Sequence, residues 1–357
     1  MKRLSKKIKI LDTTLRDGSY TVNFSFTIDD TISICSGLER SGIEFIEIGH
    51  GLGFNASNSG HGKSAQTDEE YMIAAKESLK KSKYGMFCIP GIAKLSDLDV
   101  ANKHEMGFIR IGTDVTNVKQ SEKFIKKAKK MGFFVAANYM KSYALKPKEF
   151  SSIVKMSERY GADMIYIVDS AGGMFNTDIK QYYDSIRKVS EIPIGFHGHN
   201  NLDLAVSNSI FAADTGIEFL DSSLQGIGRS SGNASTEVLV MALKKKGYDL
   251  DIDFHHLFET GQKYVNPLIN HTGKMPLDII AGYADFHSSY IHHIMKYCTK
   301  YKTDPLSLII EYSKINKINI NQNQLKLIAE KMKSKDNIYT AKYRFNQHVG
   351  KKQDRLP

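Results

Sequence analysis

Eight short apolar runs, most of them separated by stretches with helical periodicity, constrain the fold of this chain more than any other feature. Runs of this kind suit strands that are buried on both faces, as in a parallel sheet. The runs cover residues 9–12, 43–48, 86–89, 108–111, 133–138, 164–169, 194–197 and 217–221. Eight successive βα units predict an α/β protein with a closed (β/α)8 barrel, the TIM-barrel architecture.

Polar side chains with useful chemistry follow nearly every run. Arg16 and Asp17 follow the first run, Ser170 follows the sixth, and His199 follows the seventh. Because the carboxyl ends of barrel strands meet at one rim, we expect these side chains to line one cleft. The pattern therefore predicts an enzyme as well as a fold.

The domain organisation follows from where the alternation stops. The chain has 357 residues, more than the roughly 250 that a barrel of this type needs. After about Gly247 the strand signal fades, and residues 255–264, 306–312 and 322–333 read as helices. We therefore expect a catalytic barrel over residues 1–265 and a C-terminal helical region over 266–357 that ends in a mobile tail.

Composition is that of a soluble globular protein, with 41% hydrophobic and 25% charged residues. No apolar run approaches the roughly 18 residues that a membrane helix needs. The three cysteines form no close-spaced pair, which argues against a disulfide framework or a structural zinc site. We expect a cytoplasmic protein without a membrane partner.

The net charge of +10 comes from lysines spread over helical stretches such as 123–130 and 326–335. Charge alone would allow nucleic-acid binding, but no nucleic-acid motif or aromatic platform accompanies it. We interpret the lysines as a solvated surface and expect no nucleic-acid partner. The positive field would favour an anionic substrate.

The first chemical motif, Asp12-Thr-Thr-Leu-Arg-Asp-Gly18, comes just past the first predicted strand. It places two carboxylates, one guanidinium group and a turn glycine within seven residues. The plain alternative is an Asp–Arg pair that only closes a loop.

The second motif, His197-Gly-His-Asn-Asn201, ends the seventh predicted strand. Residues two apart on a strand point to the same side, so His197 and His199 can share one ion, with Asp17 as an oxygen ligand. Two imidazoles, one carboxylate and open positions suit Mn²⁺ or Mg²⁺ better than structural Zn²⁺. The alternative is that both histidines are structural.

These motifs resemble a known superfamily. Residues 12–18, 168–172, 197–199 and 226–233 together resemble the metal-dependent lyases and synthases that include HMG-CoA lyase, isopropylmalate synthase and homocitrate synthase (the DRE-TIM metallolyases). The narrower resemblance is to the 4-hydroxy-2-oxovalerate aldolases, and it is carried by residues 49–53, 88–92, 200–204 and 282–284.

The resemblance implies a metal site. Asp17, His197 and His199 match the metal ligands of the superfamily. Asn233 matches an asparagine that binds the metal in some branches and lies behind the ligands in others. The implied cofactor is one divalent ion, Mn²⁺ or Mg²⁺.

The resemblance also implies the roles of groups that face the substrate. Arg16 matches the arginine that stabilises the enolate, and Ser170 lies in the motif that holds pyruvate. Asp12 falls on the substrate side, where we expect it to orient Arg16. Arg229 replaces a small residue of the aldolases, and it either binds a carboxylate or phosphate on the electrophile or is a surface-loop arginine.

The departures from the aldolases concern proton transfer. Tyr20 stands where the aldolases have a histidine thought to be the base, and His287 stands where they have a tyrosine. We expect a swapped pair in which His287 is the base or acts through Tyr20, because an ordinary histidine pKa near 6.5 suits that role. The alternative is loss of the base and a different substrate. Asp114 and Tyr139 replace two further histidines, which we expect on the aldehyde side.

The function that the resemblance implies is that of a metal-dependent class II aldolase. It would cleave a 4-hydroxy-2-oxo acid to pyruvate and an aldehyde, or join the two. The alternatives are a Claisen-type enzyme that acts on an acyl-CoA and a 2-oxo acid, and a non-catalytic barrel that binds a 2-oxo acid. The resemblance further implies a homo-oligomer and an acylating aldehyde dehydrogenase partner, although the C-terminal region that makes this contact matches weakly.

Overall fold

A computed structural model describes residues 8–269 and 276–332, and eight parallel strands in this part of the chain close into one barrel. The strands are β1 (Lys9–Asp12), β2 (Phe45–Ile48), β3 (Lys83–Cys88), β4 (Phe108–Asp114), β5 (Phe134–Met140), β6 (Met164–Asp169), β7 (Ile194–Gly198) and β8 (Phe219–Ser222). Each strand pairs with its neighbour in the sequence, and β1 also pairs with β8. The predicted (β/α)8 barrel is therefore confirmed.

Helices separate the strands and continue beyond them. Those of the barrel are α1 (Ile28–Arg40), α2 (Asp68–Ser78), α3 (Asp97–Lys103), α4 (Glu122–Lys130), α5 (Pro147–Tyr160), α6 (Asn176–Arg187), α7 (Ala205–Thr215), α8 (Thr236–Lys246) and α9 (Phe254–Thr260). The C-terminal helices are α10 (Pro276–Ala284), α11 (Ile291–Tyr301), α12 (Pro305–Ser313) and α13 (Gln322–Lys331).

The first turn of α1 shows how the local sequence starts a helix. The Thr27 hydroxyl accepts a hydrogen bond from the backbone N–H of Asp30 at 3.1 Å. The Asp30 carboxylate accepts one from the backbone N–H of Thr27 at 2.9 Å. This capping box satisfies two N–H groups that no helical carbonyl reaches, and Thr67 and Glu70 repeat it at the start of α2.

Three helices and several boundaries differ from the prediction: β2 begins at Phe45 instead of residue 43, and β3 covers Lys83–Cys88 instead of 86–89. Helix α2 ends at Ser78, because Leu79 takes an extended backbone that leads toward β3. The seven residues of α3 are too few for helical periodicity to show in the sequence. The helices α10 and α11 were not predicted either, although α12 and α13 match predicted segments closely.

The barrel interior is filled by side chains from strands that are not neighbours in the sheet. The Phe45 ring of β2 meets the Phe108 ring of β4 at 5.7 Å between centroids and the Phe219 ring of β8 at 5.4 Å. Such contacts are possible only across the interior, so the barrel is a packed core rather than a pore. Function is therefore confined to its ends.

The C-terminal helices share an apolar cluster of their own, which includes Leu277, Ile294 and Leu308. Polar contacts tie this region to the barrel rim: the Lys141 ammonium group donates to the Tyr290 hydroxyl at 2.8 Å. The predicted division between residues 265 and 266 stays a prediction, and the predicted mobile tail lies outside the described residues.

All three cysteines are buried free thiols, and none of them lines the cleft described below. Burial raises the pKa of the Cys35 and Cys298 thiols to about 12, so both are protonated at neutral pH. In residues 8–269 and 276–332 no helix has the length and apolar character needed to cross a membrane.

Candidate active site

A cleft opens at the C-terminal ends of the strands, where barrels of this type carry their active sites. Eight of the residues predicted for the site line it: Arg16, Asp17, Tyr20, Ser170, His197, His199, Arg229 and His287. The structure thus brings together side chains that are up to 271 positions apart in the chain, since Arg16 and His287 both line the cleft.

The predicted metal ligands form one buried group. The ligand atoms of Asp17, His197 and His199 all lie within 4.8 Å of one another. The Asp17 Oδ2 atom is buried and has no hydrogen-bond partner, and it lies 3.9 Å from His197 Nε2. A buried carboxylate oxygen without a partner is costly unless a cation or a donor occupies the site.

The hydrogen bonds of the two imidazoles show which nitrogens are available. His197 Nδ1 lies 2.8 Å from Asp221 Oδ2, and His199 Nδ1 lies 3.2 Å from the carbonyl oxygen of Gly232. Both partners are acceptors, so each ring carries its proton on Nδ1. The Nε2 lone pairs face the shared group of ligand atoms, the arrangement in which ligating histidines are usually held, and that of His199 also accepts a long hydrogen bond from Arg229 Nη2 at 3.5 Å. The residues present therefore fit a divalent ion.

Asn233 lies directly beside the triad. Its Nδ2 atom donates to the carbonyl of Ile227 at 3.2 Å, whereas its buried Oδ1 atom has no partner. Gly228 makes this approach possible, because a Cβ at that position would lie 2.5 Å from Asn233 Nδ2 and 3.1 Å from Asp17 Oδ2. Asn233 Oδ1 is thus a second buried oxygen without a partner, after Asp17 Oδ2, and it supports the same cation site. That Asn233 binds the metal stays a prediction.

Arg16 is held by two carboxylates. Its Nε atom donates to Glu47 Oε2 at 2.7 Å, and its Nη1 atom donates to Asp17 Oδ1 at 2.7 Å. Burial lowers the pKa of the guanidinium, but Glu47 and Asp17 more than offset burial, so the pKa lies above its ordinary value. The cleft therefore contains a permanent positive charge in a fixed position.

A network of charged side chains that sequence reasoning missed lies beneath the cleft. Arg110 is wholly buried and donates to Glu47 at 3.0 Å and to Asn138 at 2.7 Å. It also pairs with Asp221 at 2.7 Å. Since Glu47 holds Arg16 and Asp221 holds His197, the network fixes both groups. The available signal was a charge inside apolar runs, because a charge in a strand buried on both faces requires a partner.

The charges of the site are set by this environment. Burial opposes ionisation of Asp17, but Arg16 and the neighbouring rings outweigh burial and hold the pKa of the carboxyl well below its usual range. Burial lowers the pKa of His199 to about 3, with Arg229 adding to the shift and Asp17 opposing it. At neutral pH the carboxylate is thus ionised and the His199 imidazole is neutral, as metal ligands must be.

Asp12 does not have the position that the sequence analysis gave it. It is wholly buried, lies outside the cleft, and accepts hydrogen bonds from the Thr14 N–H and the Thr236 hydroxyl, each at 2.9 Å. The prediction that it orients Arg16 is wrong, because Glu47 and Asp17 hold that guanidinium. Burial raises the pKa of Asp12 to about 7. The residue joins the end of β1 to the start of α8.

Ser170 lies on the cleft wall at the end of β6. Its Oγ atom accepts a hydrogen bond from the backbone N–H of Lys141 at 2.9 Å, so its own proton remains available for an acceptor in the cleft. The preceding Asp169 fixes the loop by accepting from the N–H groups of Gly173 and Met174 at 3.1 and 2.9 Å. Ser170 is thus positioned as a donor.

Tyr20 and His287 both reach the cleft, from opposite ends of the chain. The Tyr20 ring packs on Gly51, where a Cβ would lie 2.4 Å from the ring. His287 Nε2 accepts a hydrogen bond from Arg229 Nη1 at 2.6 Å, because a guanidinium group can only donate. His287 Nδ1 lies 2.6 Å from Ser289 Oγ and 3.3 Å from the backbone nitrogen of Ser289.

The expected ordinary titration of His287 is wrong. Burial lowers its pKa well below 6.5, and the charges of Arg229 and Lys141 lower it further. The imidazole is therefore neutral throughout the physiological range, and its basic nitrogen is engaged by Arg229.

Two of the residues expected on the aldehyde side do not line the cleft. Tyr139 is wholly buried and meets the Phe150 ring of α5 edge-on at 5.7 Å between centroids. Its neighbour Asn138 lines the cleft instead, because successive side chains of a strand point to opposite faces. Asp114 pairs with Lys141 at 3.1 Å at the rim.

Comparisons with known proteins identify the family of this chain. The family model HMGL-like matches residues 7–263. The 4-hydroxy-2-oxovalerate aldolase of Carboxydothermus hydrogenoformans is 34% identical over 329 residues, which cover 91% of this chain and 97% of the aldolase. The 4-hydroxy-2-oxovalerate aldolase of Pelotomaculum thermopropionicum is 36% identical over 306 residues, or 85% of this chain and 90% of that protein.

Solved structures give the same fold. The crystal structure of HMG-CoA lyase from Brucella melitensis matches with a TM-score of 0.66 over 75% of this chain and all of that chain, at 16% identity. Identity at this level supports the architecture alone. The match of the family model over most of the chain, together with relatives above 30% identity, shows that the chain belongs to the HMGL-like family.

Proposed function

We propose that this protein is a divalent-metal-dependent class II aldolase that cleaves a 4-hydroxy-2-oxo acid to pyruvate and an aldehyde, or joins the two. The observation that carries the proposal is the buried Asp17, His197 and His199 group beside Arg16 at the barrel mouth. The aldolase relatives support the same reaction class.

Asp17, His197 and His199 would hold the metal, with Asn233 beside them. A mixture of imidazole and carboxylate donors suits Mn²⁺ or Mg²⁺, which also accept substrate and water as ligands. When bound, such an ion supplies Lewis-acid stabilisation of negative charge on a substrate oxygen.

Arg16 acts on the same charge. In aldol cleavage the C3–C4 bond of the substrate breaks, its electrons form the enolate of pyruvate, and negative charge develops on the former keto oxygen. A guanidinium that Glu47 and Asp17 already hold in place needs no reorganisation to stabilise that charge. Ser170, whose hydroxyl proton is available, would donate to the carboxylate of the pyruvate half.

Proton transfer is assigned to the pair Tyr20 and His287. Cleavage requires removal of the proton from the 4-hydroxyl group and later protonation of the enolate carbon. His287 is neutral and can accept a proton at Nε2 once Arg229 has turned away from it. Tyr20 lines the same cleft and can relay the proton.

The pair predicts the behaviour of two variants. His287→Ala should slow the exchange of pyruvate methyl protons with deuterated water at least about tenfold, and Tyr20→Phe should slow it while leaving metal affinity unchanged. NMR follows this exchange without knowledge of the aldehyde, and His255→Ala, which changes an exposed histidine of α9, is the control. Exchange by His287→Ala at the parent rate would show that the base lies elsewhere.

The reaction class itself is tested by its products. The metal-loaded protein should release pyruvate from 4-hydroxy-2-oxo acids, which lactate dehydrogenase and NADH detect. Release of free CoA from an acyl-CoA and a 2-oxo acid would instead indicate a Claisen-type enzyme. Metal and pyruvate binding without turnover of any aldehyde would indicate a non-catalytic barrel. A homo-oligomer, an acylating aldehyde dehydrogenase partner and a cytoplasmic location stay predictions.

A further inference from the structure

Arg229 is a buried cation that lines the cleft, and its charge acts on Asp17 without a direct ion pair between them. Its side chain is 8% exposed, and it lines the cleft from the loop between β8 and α8. Its contacts are His287 Nε2 at 2.6 Å and His199 Nε2 at 3.5 Å. In residues 8–269 and 276–332 no carboxylate pairs with it, whereas Arg16 and Arg110 each have two.

The loop that carries Arg229 is built to hold it there. Gly232 has a φ of +83°, and a Cβ at this position would lie 2.0 Å from the carbonyl oxygen of Gly226. Ser230 donates to Asp278 of α10 at 2.8 Å and accepts from Asn201 at 2.8 Å. The loop is therefore anchored on both sides, and the guanidinium is preorganised rather than a mobile surface group.

The formal charges around the triad leave room for one more anion. Three arginines and three carboxylates balance each other there: Arg16, Arg110, Arg229, Asp17, Glu47 and Asp221. A divalent ion adds two positive charges, and pyruvate brings one negative charge. One positive charge then remains uncompensated in a buried site, which is unfavourable unless a second anion enters.

We propose that Arg229 binds an oxyanion, a carboxylate or a phosphate, on the aldehyde substrate. The inference rests on the aldolase function proposed above. The pyruvate half already has the metal group, Arg16 and Ser170 to receive its keto oxygen and carboxylate. Arg229 is a further guanidinium, and its planar fork matches the two oxygens of a carboxylate or phosphate.

The test compares aldehydes with and without an anionic group. Condensation with pyruvate is measured for succinic semialdehyde against its methyl ester, and for glyceraldehyde 3-phosphate against glyceraldehyde, so that the two arms separate carboxylate from phosphate. The parent protein should prefer the charged member of one pair at least about 30-fold in kcat/KM, as expected for a two-pronged charge-assisted hydrogen bond. Arg229→Met should abolish this preference, and Arg229→Lys should restore part of it.

A binding measurement that needs no turnover accompanies the kinetics. Succinate and inorganic phosphate are titrated calorimetrically into the metal-free protein, where no metal can attract them. The preferred anion should bind at least about tenfold more weakly to Arg229→Met than to the parent. Arg159→Met, which removes an exposed arginine of α5, should bind as the parent does.

The outcomes separate this inference from the proposed function. Equal kcat/KM for the charged and neutral aldehydes, with normal pyruvate exchange, would overturn the role of Arg229 and leave the aldolase proposal standing. Loss of pyruvate binding in Arg229→Met would show that the arginine serves the pyruvate carboxylate, which also overturns it. No pyruvate exchange by the parent would overturn the proposed function itself.

Discussion

Replacement of Arg16 by lysine should lower turnover at least about 100-fold, because loss of one charge-stabilising donor commonly costs 10²–10³ in rate. Lysine keeps the charge but has no fork that can contact Glu47 and Asp17 together, as Arg16 does at 2.7 Å each. The KM for the 4-hydroxy-2-oxo acid should change much less than kcat, since the interaction strengthens as the enolate forms. Steady-state kinetics of pyruvate release measure both.

The Arg16 variant needs a control for folding, because removing one partner from a buried ion pair commonly costs about 3–5 kcal/mol of stability. Circular dichroism and thermal unfolding should show that Arg16→Lys remains folded at the assay temperature. Arg159→Lys, on the exposed face of α5, should have the turnover of the parent. A folded Arg16→Lys variant with near-normal turnover would show that Arg16 is structural.

Loss of metal binding is the second large effect expected. Asp17→Ala and His199→Ala should each weaken Mn²⁺ binding at least about 100-fold, because each removes one donor from a buried group that offers few others. Calorimetric titration of the metal-free proteins gives the affinity and the stoichiometry. Asp251→Ala and His255→Ala, which change exposed residues of the same types, should bind as the parent does.

Unchanged affinity and a stoichiometry of one metal per chain in both Asp17→Ala and His199→Ala would place the metal elsewhere. A loss in only one of the two would show that the site is built on a different set of donors. Partial loss in Asn233→Ala would add this asparagine to the ligand set, since its Oδ1 atom is buried without a partner.

The barrel and the metal group were predictable because both arise from local patterns. Buried parallel strands give continuous apolar runs, and the residues that follow them must meet at one rim. Asp17 follows β1, His197 lies in β7, and His199 follows it, so their meeting needs no knowledge of packing detail. Ser170 was placed by the same rule.

The groups that fix the site were harder to predict, because their partners come from strands that are far apart in the sequence. Arg110 of β4 pairs with Glu47 of β2 and Asp221 of β8. Each of these three charged residues lies within an apolar run, so the sequence does not show which of them are partners. Asp12 was misassigned because its closeness to Arg16 in the sequence is not closeness in space. His287 enters from outside the barrel, where no strand pattern fixes its direction.

Deuterium exchange of the pyruvate methyl group tests the central claim most directly, because it reports enolate formation at this site without any aldehyde. NMR of pyruvate in deuterated water should show exchange catalysed by the Mg²⁺-loaded parent protein. Mg²⁺ is used because paramagnetic Mn²⁺ would broaden the signals. The rate should fall to background when the metal is removed, in Asp17→Ala and in Arg16→Lys. Exchange that persists without the metal, or that is absent from the loaded parent, would contradict metal-assisted enolisation of pyruvate by Asp17, His197, His199 and Arg16.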